Sequence, residues 1–375
     1  MFGKRIHLFT IFGFKVGIDL TWLLLAVLVA WSLSGVFPEY FEGYSTATYW
    51  YMGIAGALGL FLSIVFHEFW HSMVARHYGL PMRGITLFIF GGVAEMEDEP
   101  ANAKTELLMA IAGPISSVVL GGIFLLIYVG GRQLNWPDPV GGVLIYLGII
   151  NVVLAIFNMI PAFPLDGGRV LRSVLWAIKG DLRWSTRVAA SVGSVIGMTL
   201  IVLGLLALVS GNVIGGIWYA LIGMFIRGAA NTSYRQVLVR RALGGEPVSH
   251  FMQAHPVVVP PSITVRDLVD EYFYRYHYKM FPVASNGTLT GCINSKQVKE
   301  IPREQWEQRS VEEVLKPCSQ ENTIHPDTDA MKALSIMNRT NNSRLMVVEG
   351  DRLLGVITLK DMLKFLDLKI DLEGA

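Results

Sequence analysis

The chain has 375 residues, of which 52% are hydrophobic and 16% are charged, and this balance excludes an ordinary soluble protein. Its 31 basic and 30 acidic side chains give a formal net charge of +1, so no excess of positive charge indicates nucleic-acid binding. The two cysteines, Cys292 and Cys318, exclude a disulfide framework and a Cys-x-x-Cys metal site, which fits a reducing, cytoplasmic environment for that part.

Apolar runs dominate the N-terminal part of the chain. Residues 1–20 lack a small-residue cleavage site after their apolar run, and we interpret them as retained rather than as a signal peptide. Runs long enough to span about 30 Å of hydrocarbon follow at residues 20–38, 44–66, 107–131 and 140–165. A fifth run, 188–226, is too long for one helix and contains the turn-like sequence Ser-Gly-Asn. The sequence therefore predicts six transmembrane helices in a lipid bilayer.

Lysine and arginine residues predict the orientation of these helices. If the N-terminus is cytoplasmic, the inner segments carry nearly all of the basic residues near the spans, and only Arg132 lies outside. The same rule returns the C-terminus to the cytoplasm. It also makes the second span run inward, so that its end lies near the cytoplasmic surface.

The second span leads into His-Glu-Phe-Trp-His, residues 67–71. A helix turns about 100° per residue, so His67 and His71 lie on one face and can ligate one metal ion, with Glu68 beside them. A zinc-activated water next to a carboxylate is suited to hydrolysis, with the carboxylate as general base. A chance occurrence of this motif is a weak alternative, because an ionisable group inside a membrane costs free energy and therefore indicates a function.

Residues 82–96 are rich in β-branched and aromatic side chains, too short to span a bilayer, and interrupted by two glycines. We interpret them as a hairpin or re-entrant strand whose edge could pair with an extended peptide. An amphipathic cytoplasmic loop is the alternative.

The fourth span ends in Asn-Met-Ile-Pro-Ala-Phe-Pro-Leu-Asp-Gly-Gly, residues 158–168. Its two prolines break the helix and free backbone polar groups. Such irregular backbone inside a membrane is tolerated beside a cavity, where these groups find partners. Asp166 could complete a His, His, carboxylate site, and Asn158 could donate its amide to an oxyanion. Alternatively, Asp166 caps the following helix. The predicted topology favours ligation, because it places the ends of spans two and four on the same side of the membrane.

From about residue 248 the composition becomes that of a soluble domain, with two similar halves. Each half reads as an amphipathic helix, a strand, a turn and the pattern Leu-x-Gly-x-Ile, which predicts an α+β module. We divide the chain into a membrane core (1–230), a linker (231–247) and two repeats (248–303 and 304–370).

Two patterns carry a resemblance to a known family. The motifs at 67–71 and 158–167 together resemble the signature pair of the site-2 proteases, which are intramembrane zinc metalloproteases. The C-terminal repeats resemble a cystathionine-β-synthase (CBS) domain pair, an arrangement similar to that of a prokaryotic branch of the family. The resemblance implies a polytopic α-helical membrane protein with six transmembrane helices, a small membrane-associated β element and a cytoplasmic α+β CBS domain pair, in a prokaryotic inner membrane.

The resemblance also implies the site and its reaction. One Zn²⁺ per chain would be bound by His67, His71 and Asp166, with Glu68 as general base and Asn158 assisting substrate or oxyanion binding. The expected reaction is hydrolysis of a peptide bond in a transmembrane segment of a membrane protein. A CBS-gated transporter and an inactive homologue that acts as a scaffold are the alternative functions.

CBS repeats that bind adenine nucleotides often end in Gly-x-Ile-Thr-x-x-Asp. The second repeat keeps this pattern at 355–361, which implies that Thr358 lies near phosphate and that Asp361 holds ribose hydroxyls of ATP or AMP. The first repeat has neither residue at 291–297, so we expect at most one intact site. A module that dimerises or docks without a ligand is the alternative, and paired CBS modules imply a homodimer.

Overall fold

The computed structural model describes residues 5–80, 82–88, 91–96, 100–285 and 287–373. The chain separates into two compact units, and the division falls after Arg235.

A four-stranded sheet forms part of the first unit. Strands β1 (Arg5–Ile11) and β2 (Phe14–Asp19) form an antiparallel hairpin, and β2 pairs in parallel with β3 (Met82–Phe88). β3 pairs antiparallel with β4 (Gly91–Met96), so the strand order is β1-β2-β3-β4 and β4 lies at an edge. The strand interpretation is therefore confirmed for residues 82–88 and 91–96, whereas residues 89–90 lie outside the described residues. The N-terminal hairpin was not predicted.

In the part of the chain that the structure describes, six helices are long and apolar enough to cross a membrane, as predicted. Prolines 161 and 164 end the fourth helix earlier than the apolar run suggests, because proline lacks a backbone N–H. The predicted turn at 210–212 separates the last two helices. The six are α1 (Leu20–Tyr40), α2 (Thr46–His77), α3 (Ala103–Gln133), α4 (Asp138–Asn158), α6 (Leu182–Val209) and α7 (Val213–Leu243).

A shorter amphipathic helix, α5 (Asp166–Lys179), follows the proline-containing loop. Asp166 is its first residue, and Leu165 occupies the N-cap position without a side-chain hydrogen bond to the helix. The alternative role of Asp166 as an N-cap is therefore wrong. Helix α2 packs against α1, α3 and α4, and α3 also packs against α5. The helices that carry the predicted site thus lie around α3.

The second unit contains two similar halves. One seven-stranded sheet has the order β6-β7-β11-β10-β9, with β5 pairing with β11 and β8 with β7. Its strands are β5 (Gln253–Ala254), β6 (Met280–Ser285), β7 (Thr288–Asn294), β8 (Lys316–Pro317), β9 (Thr323–Ile324), β10 (Arg344–Glu349) and β11 (Arg352–Thr358). Its helices are α8 (Val265–Asp267), the π-helical Leu268–Phe273, α9 (Tyr274–Tyr276), α10 (Ser295–Lys299), α11 (Val311–Val314), α12 (Ala330–Thr340) and α13 (Leu359–Glu373), with 3₁₀ turns at Val248–His250 and Arg303–Gln305.

The two long hairpins of this unit share one register. Met280 pairs with Asn294 in the first, and Arg344 pairs with Thr358 in the second. Each hairpin has its register shift at the fourth residue of its first strand, Val283 and Val347 respectively. This correspondence confirms the predicted repeat and the α+β fold class of the module.

Candidate metal centre

Three predicted side chains converge inside the membrane unit. His67 and His71 lie one turn apart on α2, and Asp166 reaches them from the start of α5. The two Nε2 atoms are 3.1 Å apart, and each lies 3.1 Å from Asp166 Oδ2. All three residues are buried, with at most 9% of their surface exposed. Among the described residues, this is the one group of three His, Cys, Asp or Glu side chains with all ligand atoms within 4.8 Å of one another.

The triangle of ligand atoms fits a tetrahedral zinc ion. Bonds of about 2.0 Å in tetrahedral geometry hold ligand atoms roughly 3.3 Å apart. His71 Nδ1 donates to the carbonyl of Met109 at 2.6 Å, so the Nε2 of the neutral ring presents a lone pair. His67 Nδ1 lies 2.9 Å from Ser117 Oγ, which can accept from that nitrogen and so leave the Nε2 of His67 as a lone-pair donor to a metal. Lone pairs and a carboxylate oxygen that face each other in this way suit a bound cation.

Helix α3 supplies no ligand, yet it borders the site closely. A Cβ atom at Gly113 would lie 2.1 Å from His71 Nε2 and 2.5 Å from His67 Nε2. The space beside the two nitrogens is therefore open only because residue 113 has no side chain. Sequence reasoning missed Gly113, Met109 and Ser117, since none of them is a usual zinc ligand and Met109 acts through its backbone carbonyl.

Glu68 contacts the edge strand of the sheet. A Cβ atom at Gly92, the second residue of β4, would lie 2.5 Å from Glu68 Cγ and 3.0 Å from Oε1. The start of β4 thus packs directly on the predicted general base. An edge strand leaves backbone N–H and C=O groups available for another strand, so the structure brings a pairing edge beside this carboxylate.

Asn158 is the last residue of α4 and is half-buried. Its amide nitrogen donates to the carbonyl of Leu154 at 3.0 Å, within its own helix. The amide nitrogen carries a second N–H, which this bond leaves available to a substrate carbonyl.

A buried charged cluster lies where α3 meets α5. Glu106 is fully buried, and its Oε1 accepts from Arg172 Nε at 2.7 Å and also from Arg172 Nη2. Arg169 Nε lies 4.0 Å from the same oxygen. The sequence interpretation placed Arg169 and Arg172 in a cytoplasmic segment and assigned no role to Glu106, although a charge next to an apolar run was a signal for a buried pair.

Thr358 and Asp361 line a cavity of about 510 Å³ in the second unit. Thr358 Oγ1 donates to Asp361 Oδ2 at 2.5 Å. Asp361 is the one acidic residue in the lining, which also holds three cationic side chains, those of Arg344, Lys360 and Lys364. Burial lowers the pKa of the Arg344 guanidinium and the Asp361 carboxylate opposes this shift, so Arg344 remains a cation. The cavity thus combines one carboxylate with three cationic side chains, which suit a ribose hydroxyl and a phosphate chain respectively.

Residues of both repeats line a smaller cavity of about 170 Å³, and Asn294 and Lys296 belong to its first-repeat side. Asn294 Oδ1 accepts from the backbone of Gln297, and Gln297 Oε1 accepts from the backbone of Asn294. The residues that replace Thr358 and Asp361 in the first repeat therefore cap the start of α10.

Comparisons with known proteins match both units. The model of peptidase family M50 matches residues 55–142 and 138–204, and the CBS domain model matches residues 248–303 and 311–368. The Rip3 protein of Mycobacterium tuberculosis is 32% identical over 357 residues, which cover 95% of this chain and 91% of Rip3. The zinc metalloprotease MJ0392 of Methanocaldococcus jannaschii is 32% identical over 373 residues, or 98% of each chain. The solved structure of a site-2 protease from Methanocaldococcus jannaschii is 30% identical and covers 62% of this chain and 96% of its own, with a TM-score of 0.43.

Proposed function

The chain belongs to peptidase family M50 as a site-2-type zinc metalloprotease with CBS domains, and we propose that it cleaves transmembrane segments of membrane-bound proteins. It is a multi-pass membrane protein. This membership favours the protease over the gated transporter and over the inactive scaffold.

The observation that carries the proposal is the mutual 3.1 Å spacing of the His67, His71 and Asp166 ligand atoms inside an apolar helical unit. These three side chains would hold the ion. When bound, zinc supplies Lewis acidity that lowers the pKa of water and polarises a peptide carbonyl. Burial of the ligands limits access of bulk water, which strengthens electrostatic interactions in the site.

Glu68 is the general base in this proposal. Its carboxylate takes a proton from the attacking water and delivers it to the leaving amine. Asn158 assists by donating its second amide N–H to the substrate carbonyl oxygen, where negative charge develops, while the first stays bonded to the Leu154 carbonyl.

The edge strand β4 binds the substrate in an extended form. A transmembrane helix has all of its backbone groups bonded internally, so the bond to be cleaved must first be unwound. Pairing with β4 supplies new backbone partners, and the contact between Gly92 and Glu68 aligns the paired segment with the carboxylate.

The central experiment compares Glu68→Gln, Asp166→Ala and His77→Ala in the full chain. Glu68→Gln should retain zinc and abolish cleavage, whereas Asp166→Ala should lose zinc as well. His77 is exposed at the end of α2, so His77→Ala serves as the matched control with normal zinc content and cleavage. Cells that carry Glu68→Gln should accumulate the uncut substrate among their membrane proteins. Wild-type cleavage by Glu68→Gln would refute the assignment.

The second unit binds an adenine nucleotide in the 510 Å³ cavity, and the nucleotide modulates cleavage. Asp361 accepts the ribose hydroxyls, Thr358 lies near the phosphates, and the lysines and Arg344 favour ATP over AMP because of its larger charge. Calorimetry on the full chain should detect ATP binding that Asp361→Ala removes. Gln297→Ala changes the corresponding residue of the first repeat and should leave the binding intact. Absence of heat with both ATP and AMP would contradict the assignment.

Two further features complete the proposal. The CBS pair joins two copies of the chain as a homodimer, which light scattering on the purified protein would measure. The proposal places both termini in the cytoplasm of a prokaryotic cell. The distribution of basic residues favours this orientation, and reporter fusions at the C-terminus would test it.

A further inference from the structure

A buried ion pair connects α3 to the helix that begins with a predicted zinc ligand. Glu106, in the first turn of α3, has no exposed surface, and Arg172 of α5 is 6% exposed. Two nitrogens of the guanidinium donate to Glu106 Oε1. Each partner thus lies in the protein interior, and the pair spans the interface between the two helices.

Such a pair is a poor way to gain stability. The cost of removing two charges from water offsets most of their attraction, and two apolar side chains of similar size often stabilise a protein equally well. Ionisable groups in the interior of a membrane protein therefore point to a role other than stability. Both donors converge on one carboxylate oxygen, so two charge-assisted hydrogen bonds hold the two helices at a short distance from each other.

The pair belongs to one face of α3 that borders the whole metal centre. Glu106, Met109, Gly113 and Ser117 follow at intervals of three and four residues, so they lie on one side of the helix. Met109 and Ser117 hydrogen-bond to the two histidines, and Gly113 leaves room beside them. Glu106 extends this face to α5, where Arg172 lies roughly 9 Å along the helix from Asp166.

We propose that Glu106 is a positioning residue of the metal centre: through its buried ion pair with Arg172 it fixes α5 so that Asp166 meets His67 and His71. This inference rests on the proposed ligand set. Helix α3, which provides no ligand, thereby positions all three of them.

The test measures the zinc dissociation constant of the full chain by competition with a chelator, together with the unfolding midpoint of the zinc-free protein. The double variant Glu106→Met/Arg172→Met removes both charges of the pair together, and the neighbouring Arg169, which lies 4.0 Å from Glu106 Oε1, remains partly exposed at 18%. Zinc should bind about tenfold more weakly, and the zinc-free midpoint should be unchanged or higher. A dissociation constant within twofold of the wild-type value would overturn the proposal.

Further variants keep the outcome decisive. If the double variant does not fold, Arg172→Lys replaces it, because lysine keeps the charge but loses the paired donors. Arg172→Lys should weaken zinc binding several-fold. Unchanged zinc binding in this variant would again overturn the proposal. Asn151→Ala is the matched control, since Asn151 is buried and joins α4 to Ser63 of α2. It should lower the zinc-free midpoint and leave the zinc dissociation constant unchanged.

Asp166→Ala separates this inference from the proposed function. If Asp166→Ala weakens zinc binding and the Glu106 and Arg172 variants do not, only the positioning role fails. If Asp166→Ala leaves zinc binding unchanged, the ligand set itself is wrong.

Discussion

Gly113 is the residue at which a single methyl group should have the largest effect on the metal centre. In Gly113→Ala, the new Cβ would lie 2.1 Å from His71 Nε2, so the ring or helix α3 must move. We expect zinc binding to weaken by roughly 100-fold, at the upper end of the effect of changes around a metal site. The zinc content that remains after dialysis against a series of chelator concentrations measures this loss of affinity.

Gly122→Ala is the control for this prediction. It lies on the same helix, and a Cβ there would have no neighbour within 4 Å. Both substitutions favour the helix by about 1 kcal/mol, so a difference between them reports the space beside the histidines. Equal zinc contents in the two variants would contradict the prediction.

The two thiols of the second unit give a prediction about pH. Burial raises the pKa of the Cys292 thiol to about 11, so at pH 8 roughly one molecule in a thousand carries the reactive thiolate. Iodoacetamide should therefore label folded Cys292 very slowly, and the rate should rise about tenfold per pH unit below that pKa. Cys318 is exposed and should be labelled first. Mass spectrometry of digested protein follows both sites, and rapid labelling of Cys292 at pH 8 would show that the thiol is accessible.

The sequence predicted the individual ligands better than their surroundings. His67, Glu68 and His71 share a local pattern, and Asp166 stands out beside two prolines. Gly113 and Ser117 belong to a run of small residues that has no chemical signature, and their importance depends on the packing of α3 against α2. Residues that support a metal ligand from another helix can be identified only when the tertiary structure is known.

At the level of elements, the apolar runs located the helices but not all of their ends. Helix α2 continues to His77 because polar residues stop an apolar run without stopping a helix. The N-terminal hairpin was missed although its signal is present: Phe14, Val16 and Ile18 alternate along β2 and are all buried. A search for spans alone passes over this pattern, because each strand is too short to cross a bilayer.

The hairpin of β3 and β4 gives a prediction that separates catalysis from metal binding. In Gly92→Ala, the new Cβ would lie 2.5 Å from Glu68 Cγ, which displaces either the edge strand or the carboxylate. Misplacement of a reacting group by about 1 Å can cost 100-fold in rate, so we expect cleavage to fall by roughly that factor. Zinc content should remain normal, because Gly92 contacts Glu68 rather than the ligands.

The comparison of Gly92→Ala with Gly113→Ala is the control within this experiment. One variant should keep zinc and lose cleavage, and the other should lose both. Normal cleavage by Gly92→Ala would mean that the start of β4 does not constrain Glu68.

On the scale of the whole molecule, the sequence predicted two types of unit because composition changes sharply between them. It also predicted the repeat, since both halves carry Leu-x-Gly-x-Ile. The pairing of β7 with β11, which joins the halves in one sheet, was not predicted. Pairing between distant strands leaves no local pattern, whereas a hairpin does.

The division into two units predicts two separate unfolding transitions, each sensitive to its own ligand. A ligand that binds the folded state alone stabilises it by about 2.7 kcal/mol at a concentration 100 times its dissociation constant. Zinc should therefore raise the midpoint of the membrane unit, and ATP should raise that of the CBS unit. Asp166→Ala should remove the zinc shift and keep the ATP shift, whereas Asp361→Ala should do the reverse. Calorimetry of the full chain in detergent measures both transitions. A single transition that both ligands shift equally would contradict the prediction, because the two sites would then belong to one cooperative unit.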